Sequence, residues 1–376
     1  VSGGAAATSW FLFAGIAFQP LPEMFPALAL KAKGGLLFDA GFAGASILLL
    51  YTTLTYSGYA KEEKQRRQTR DAFSKYLSPD MVARVAGNPG ELKLGGDKRD
   101  LTLLFCDVRG FTTISEQFDA EGLTALINKL LTPLTNVILD RQGTVDKYMG
   151  DCIMAFWNAP LDDDQHAYNG CLSALAMLGE MGPLNDRLEQ EAIEEGRKHI
   201  PLKVGLGLNS GECVVGNMGS DQRFDYSVLG DTVNLAARLE GQSKSYGMNV
   251  VLGPTTWGEV KDRLATIDLD FIQVKGKTSG TLIYGLMGDA ELMEDPEFKK
   301  IKELISDAMD TYRAQKFDEA LEMFKQIRFL GNDENGPWEL EINLDVLCDL
   351  YEERIAEYKE TPPAEDWDGV FIATTK

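Results

Sequence analysis

Histidine is scarce in this chain: His166 and His199 are the only two among 376 residues, and they lie far apart. The five cysteines, Cys106, Cys152, Cys171, Cys213 and Cys348, are odd in number and never spaced Cys-x-x-Cys. Structural zinc needs clustered sulfur and imidazole ligands and a disulfide scaffold needs paired cysteines, so neither is expected to organise the fold. Free thiols fit a reducing compartment for the part that carries them. Positive charge is also in deficit, with 37 Lys and Arg against 58 Asp and Glu and a net charge of −21. Without a basic stripe to displace counterions, a nucleic-acid partner is excluded. The GNMG segment at 216–219 lacks the Lys and Ser/Thr that end a P-loop.

What is present exceeds one module, because 376 residues with 44% hydrophobic content can bury a large core. Residues 40–59 form an uncharged run long enough to cross a bilayer as a helix, and residues 2–18 read as a second span. Pro20, Pro22, Glu23 and Pro26 suit the external turn between them. Lys61, Lys64, Arg66, Arg67 and Arg70 follow the second run, so the positive-inside rule puts the remainder in the cytoplasm. The expectation is a multi-pass anchor in the plasma (inner) membrane over 1–59, within a lipid bilayer. A first residue Val and the missing basic n-region argue against a signal peptide and for an upstream sensory domain missing from this chain. Residues 60–98 read as a linker helix, with Ser78 and Pro79 opening another short one.

From 99 to 288 the periodicity predicts strand 101–106, helix 112–140, strands 144–149 and 152–157, helix 164–190 and strand 202–209. Strand 213–217, a hairpin arm 219–229, helix 231–246, strand 249–252, helix 254–263 and strand 267–274 follow. The first six spell βαββαβ, an α+β ferredoxin-like core with its helices on one face.

Two aspartates end short apolar runs, Asp107 in LTLLFCD and Asp151 after YMG, so a hairpin can set them side by side. Carboxylates that close repel, and a divalent cation relieves them, with the Val108 carbonyl able to add a ligand. Asn234 and Arg238, four apart in GDTVNLAARLE, share a helix face that can meet a phosphate. Singly these are ordinary acidic turns and a solvated helix face. Cys106 and Cys152 are expected on the strand face opposite the aspartates, packed in the core, and His166 on a helix surface.

Together the segments FCDVRGFTTISE, VDKYMGDCIMAFW and RFDYSVLGDTVNLAARLE resemble, in order and spacing, the catalytic domain of class III nucleotidyl cyclases over roughly 100–285. The resemblance implies that Asp107 and Asp151 hold two magnesium or manganese ions, that Lys147 and Ser227 read the purine, that Asn234 orients the ribose and that Arg238 stabilises the transition state. It also implies a homodimer, each site taking its aspartates from one chain and Lys147, Ser227, Asn234 and Arg238 from the other. Lys147 carries only donors and suits N1 of adenine, an acceptor. Ser227 can accept from the adenine amino group. Guanylyl cyclases of the family typically place Glu and Cys at these positions, and animal transmembrane adenylyl cyclases Asp at the second, so the chain resembles the hydroxyl-bearing subclass with bicarbonate-responsive members. The expected activity is adenylyl cyclase, ATP to 3′,5′-cyclic AMP and pyrophosphate, in signal transduction. The alternatives are a guanylyl cyclase of the same fold and a catalytically silent dimerising module. The GGDEF or GGEEF turn of diguanylate cyclases is absent.

In 289–376, Ile301, Leu304, Ile305, Ala308 and Tyr312 follow helical spacing, as do Ala320, Leu321, Phe324 and Ile327 after a break. These and a helix over about 338–359 are expected to form a small tetratricopeptide-like extension packed on the catalytic part.

Overall fold

The computed structural model describes residues 47–61, 63, 95–220, 222–273, 280–330, 343–364 and 366–372, in two units divided after Ala86. In the first unit residues 47–61 and 63 are helical, and 47–61 are exposed, including Ile47, Leu48, Leu49, Leu50, Leu54, Tyr51, Tyr56 and Tyr59. The expected span 2–18, the proline turn, the start of the run 40–59 and most of the 60–98 linker, including Ser78 and Pro79, lie outside the described residues.

The second unit contains one nine-stranded sheet: β1 (Gly95–Val108), β2 (Thr144–Met149), β3 (Cys152–Trp157), β4 (Val204–Ser220), β5 (Arg223–Leu229), β6 (Val250–Leu252), β7 (Ala265–Gln273), β8 (Thr281–Gly288) and β9 (Phe371–Ile372). Its order is β2-β3-β1-β4-β6-β8-β7-β9, with β5 paired to β4. The helices are α1 (Phe111–Ser115), α2 (Ala120–Asp140), α3 (His166–Glu194), α4 (Asp231–Ser243), α5 (Pro254–Val260), α6 (Ala290–Glu294), α7 (Pro296–Arg313), α8 (Phe317–Leu330) and α9 (Asp345–Glu360). The antiparallel β2-β3-β1-β4 order, with α2 and α3 as the crossovers, is the expected ferredoxin-like core.

Side-chain alternation along β1 builds the two faces. Leu104, Cys106 and Val108 join Leu126, Leu130, Leu134 and Ile138 of α2 and Cys171, Ala174 and Met177 of α3 in one core. Leu101, Leu103 and Phe105 turn the other way, toward Ala236 of α4. The two crossover helices thus share one face, and α4, beyond the βαββαβ core, covers the second. It comes that close because β4 carries Gly205 and Gly207; a Cβ on Gly207 would stand 2.1 Å from the backbone nitrogen of Glu240. Among the described residues α2 alone is long and apolar enough to cross a bilayer, and its apolar stripe is spent on this core.

Other boundaries moved for local reasons. The helix expected over 112–140 breaks after Ser115, and α2 restarts where the Asp119 carboxylate accepts from the Gly122 N–H at 2.8 Å. The strands expected at 202–209 and 213–217 are one strand, β4, because its pairing to β1 continues through Gly211. Strand β8, which the periodicity reading missed, lies between β6 and β7.

The C-terminal helices are part of the same unit. Phe298, Ile301, Ile305, Met309 and Tyr312 of α7, Phe324 of α8 and Tyr351 of α9 share a core with Leu235 and Leu239 of α4 and Ile267 and Leu269 of β7. A buried polar cluster joins them: Arg354 donates to Asp270 Oδ2 at 2.6 Å and to the Tyr246 hydroxyl at 3.2 Å, and that hydroxyl donates to Asp270 at 2.6 Å.

Candidate active site

Asp107 is the last odd-numbered residue of β1, so it shares the α4 face with Leu101, Leu103 and Phe105, and opposite it in β4 stands Gly205. Asp151 follows Gly150, whose φ of 71° makes the sharp turn between β2 and β3. The two carboxyls face each other as expected. Burial and then the Asp151 charge push the Asp107 carboxyl up to about 6, against the pull of the Val108 N–H that donates to it.

A third acid, Glu240 of α4, joins them. Burial, and after it the Asp107 charge, push its carboxyl up to about 7. It lies over Gly205, and Arg109 beside it opposes the rise. Arg109 is in turn held by its donation to the Met248 carbonyl. The sequence carried a signal for Glu240, which falls on the Gly205–Gly207 side of α4, but only the packing of α4 on β4 reveals it.

The donor set fits a divalent cation of the magnesium class. Two hard oxygen ligands face each other, and a third acid, Glu240, adds to the local negative charge. Magnesium characteristically takes one or two carboxylates and fills its remaining positions with water and substrate phosphates.

The second constellation lies on β2 and β5. Lys147 Nζ donates to Ser227 Oγ at 3.3 Å, so the two expected base readers do meet within one chain. Between them is a residue that sequence reasoning passed over. The Ser227 hydroxyl donates to Asp146 Oδ2 at 2.7 Å, and Lys147 Nζ lies 3.3 Å from Asp146 Oδ1. The Asp146 side chain is 0% exposed, whereas that of Lys147 is 44% exposed. Burial raises the Asp146 carboxyl, and Ser227, Lys147 and the Val228 N–H lower it. Hydrogen bonds and ion pairs run within the Asp107 group and within the Lys147 group, not between them, among the described residues.

On α4, Asn234 is exposed and Arg238, one turn later, is half-buried with its Nη1 buried and without a hydrogen-bond partner among the described residues. A buried guanidinium N–H left open is a donor awaiting an anion. Two side expectations are corrected. Cys152 is half-buried on the Asp107 side of the sheet, because β3 begins directly at the turn that presents Asp151. Burial and the neighbouring carboxylates push its thiol up to about 12, far from the thiolate that redox chemistry needs. His166 is not a surface residue. Its Nδ1 lies 2.7 Å from the Thr102 hydroxyl, which continues to Ser210 and Thr256 beneath the sheet.

The family model for the adenylate and guanylate cyclase catalytic domain matches residues 96–288. The chain belongs to this family. Its cyclase domain runs from β1 to the end of β8 and holds every site residue named above. Adenylate cyclase 1 of Rhizobium meliloti is 32% identical over 191 residues, 51% of this chain and 28% of that protein. The adenylate cyclase of Anabaena cylindrica is 30% identical over 225 residues, 58% of this chain and 43% of that protein. The chain thus matches less than half the length of either relative. The solved structure of a bacterial light-regulated adenylyl cyclase covers 62% of this chain and 65% of its own at a TM-score of 0.52 and 22% identity, a likeness of fold.

Proposed function

We propose that the chain is an adenylyl cyclase that converts ATP to 3′,5′-cyclic AMP and pyrophosphate. The observation that carries this reading is the pairing of Lys147 with Ser227 beside a separate, mutually repelling Asp107–Asp151 pair. The two relatives' names, both adenylate cyclases, support it.

Asp107 and Asp151, with the Val108 carbonyl, would hold two magnesium or manganese ions. When bound, these neutralise triphosphate oxygens and acidify the ribose 3′-hydroxyl. Lys147 presents a donor to N1 of adenine and Ser227 an acceptor to its amino group, which orients the base. Asn234 steadies the ribose so that the 3′-oxygen lies in line with the α-phosphorus. Arg238 offers its open N–H groups to the oxygens on which charge builds, and loss of such a donor costs on the order of a hundredfold in rate. The new 3′-oxygen–phosphorus bond replaces the α–β bridge, and pyrophosphate leaves.

The two constellations are independent within one chain, and this supports a homodimer whose sites take the aspartates from one protomer and Lys147, Ser227, Asn234 and Arg238 from its partner. The exposed apolar side chains of residues 47–59 and the basic residues after them support a membrane anchor with the catalytic domain in the cytoplasm.

The test is product analysis with ATP or GTP and magnesium or manganese, followed by mixing of two inactive variants. Equal amounts of Asp107→Ala and Arg238→Ala chains should recover about a quarter of the wild-type rate, since half the dimers are mixed and each mixed dimer has one intact site. Activity no higher than that of either variant alone would refute the shared site. Absence of cyclic product from both nucleotides would refute the cyclase reading.

A further inference from the structure

In a regular strand, neighbouring side chains leave on opposite faces, so Asp146 and Lys147 should not reach the same atom. They do because the β2–β3 register shifts between Val145 and Lys147, leaving Asp146 as the extra residue of a bulge. The bulge brings the buried Asp146 carboxylate to the Ser227 hydroxyl while the Lys147 side chain stays partly exposed.

Resting on the adenylyl cyclase reading, we propose that Asp146 is the residue that makes the site specific for a 6-aminopurine, by fixing the Ser227 hydroxyl as an acceptor. A free serine hydroxyl is ambivalent: it rotates to donate to a carbonyl or to accept from an amine. Here its only proton goes to Asp146 Oδ2 at 2.7 Å. Of its two lone pairs, one receives Lys147 Nζ at 3.3 Å, and the other is left for an incoming N–H. Adenine supplies that N–H from its 6-amino group, whereas guanine brings the O6 acceptor, and two acceptors then face each other. Lys147 Nζ also lies 3.3 Å from Asp146 Oδ1, and its remaining donor suits the unprotonated N1 of adenine and opposes the N1–H of guanine. Asp146 touches no part of the base. It is a positioning residue, its buried charge partly offset by Ser227, Lys147 and the Val228 N–H. The single-hydroxyl choice at 227, ambiguous by itself, is thereby resolved by the protein's own side chains.

The experiment measures equilibrium binding of the non-cyclisable α,β-methylene analogues of ATP and GTP to the full chain with manganese. The wild type should prefer the adenine analogue. Asp146→Asn, isosteric and uncharged, can turn its amide N–H₂ toward Ser227 and release the hydroxyl proton to guanine O6. The ratio of the two dissociation constants should therefore fall by about tenfold, the scale of one misplaced hydrogen bond. General damage would weaken both analogues alike and leave the ratio in place. In a Ser227→Ala background the same substitution should leave the ratio unmoved. Should Asp146→Asn fail to fold, Asp146→Glu, which keeps the charge but displaces it, must lower the ratio in its place. A ratio unchanged in the folded variant, an undiminished effect without Ser227, or a wild type indifferent to the base would overturn the proposal. Catalysis is not read in this titration, so a failure of turnover would count against the cyclase reading and not against the role of Asp146.

Discussion

Two acidic sites in the same domain have opposite fates. Asp270 is buried against Arg354 and Tyr246, which both donate to its Oδ2, while the Phe271 N–H donates to Oδ1. Asp107 is half-buried beside Asp151, whose charge opposes its own, and it in turn raises Glu240, with the Val108 N–H and Arg109 offsetting only part of this. The first arrangement ties the C-terminal helices to the sheet and has no room for a ligand. The second is destabilising unless something positive arrives, the pattern expected of a ligand site. Uncompensated charge at a strand end marks the site; compensated charge under a helix marks structure.

The comparison breaks most sharply on activity. Asp107→Ala should lower the rate of cyclic product formation on the order of a thousandfold, the equivalent of several kcal/mol of lost charge stabilisation, while the metal-free protein melts no lower than wild type. A variant that melts much lower but retains turnover would reverse the roles assigned to the two acids.

Next in size is the compensated site. Arg354→Ala strands Asp270 and should cost about 3–5 kcal/mol in urea unfolding, whereas replacing both partners by apolar residues of similar volume should recover most of it. A loss under about 1 kcal/mol would mean that the C-terminal helices are held by their apolar contacts alone.

The smallest effect is a pH dependence of the metal-free protein. Asp107 at about 6 and Glu240 at about 7 both lie above their unfolded values, so the folded chain holds extra protons between about pH 4 and pH 7. Stability from these groups is therefore present in mild acid and lost as pH rises through those values. Wild type minus Asp107→Asn should show a melting temperature that falls by about a few degrees from pH 5.5 to 7.5. Manganese should restore it at pH 7.5. A difference curve that is flat, or that rises with pH, would mean that the acid pair is already neutralised by protein groups.

The features legible in one dimension were those set by local period. The runs that became β1, β2, β3 and α2, and the turn at Gly150 that presents Asp151, follow from apolar alternation and a glycine. Lys147, Ser227, Asn234 and Arg238 were legible through motif spacing. Asp146 was not, because strand alternation assigns it to the face opposite Lys147, and only the bulge in pairing with β3 overrides this. Glu240 was hidden for a similar reason, since its partner Asp107 is more than a hundred residues away and is reached across Gly205. His166 looked like a surface residue until α3 placed it on Thr102. The C-terminal segment announced its helices by spacing, but a buried arginine at 354 has meaning only beside Asp270.

By itself, then, the order of residues determined which segments become strands and helices and which side chains are candidates for metal-binding, base-reading and phosphate chemistry, because these depend on neighbours within a few positions. Tertiary structure alone decided which charges meet. Pairing register, the β2 bulge and the approach of α4 over glycine bring together groups remote in the chain, because contacts of that range are set by packing and not by local period.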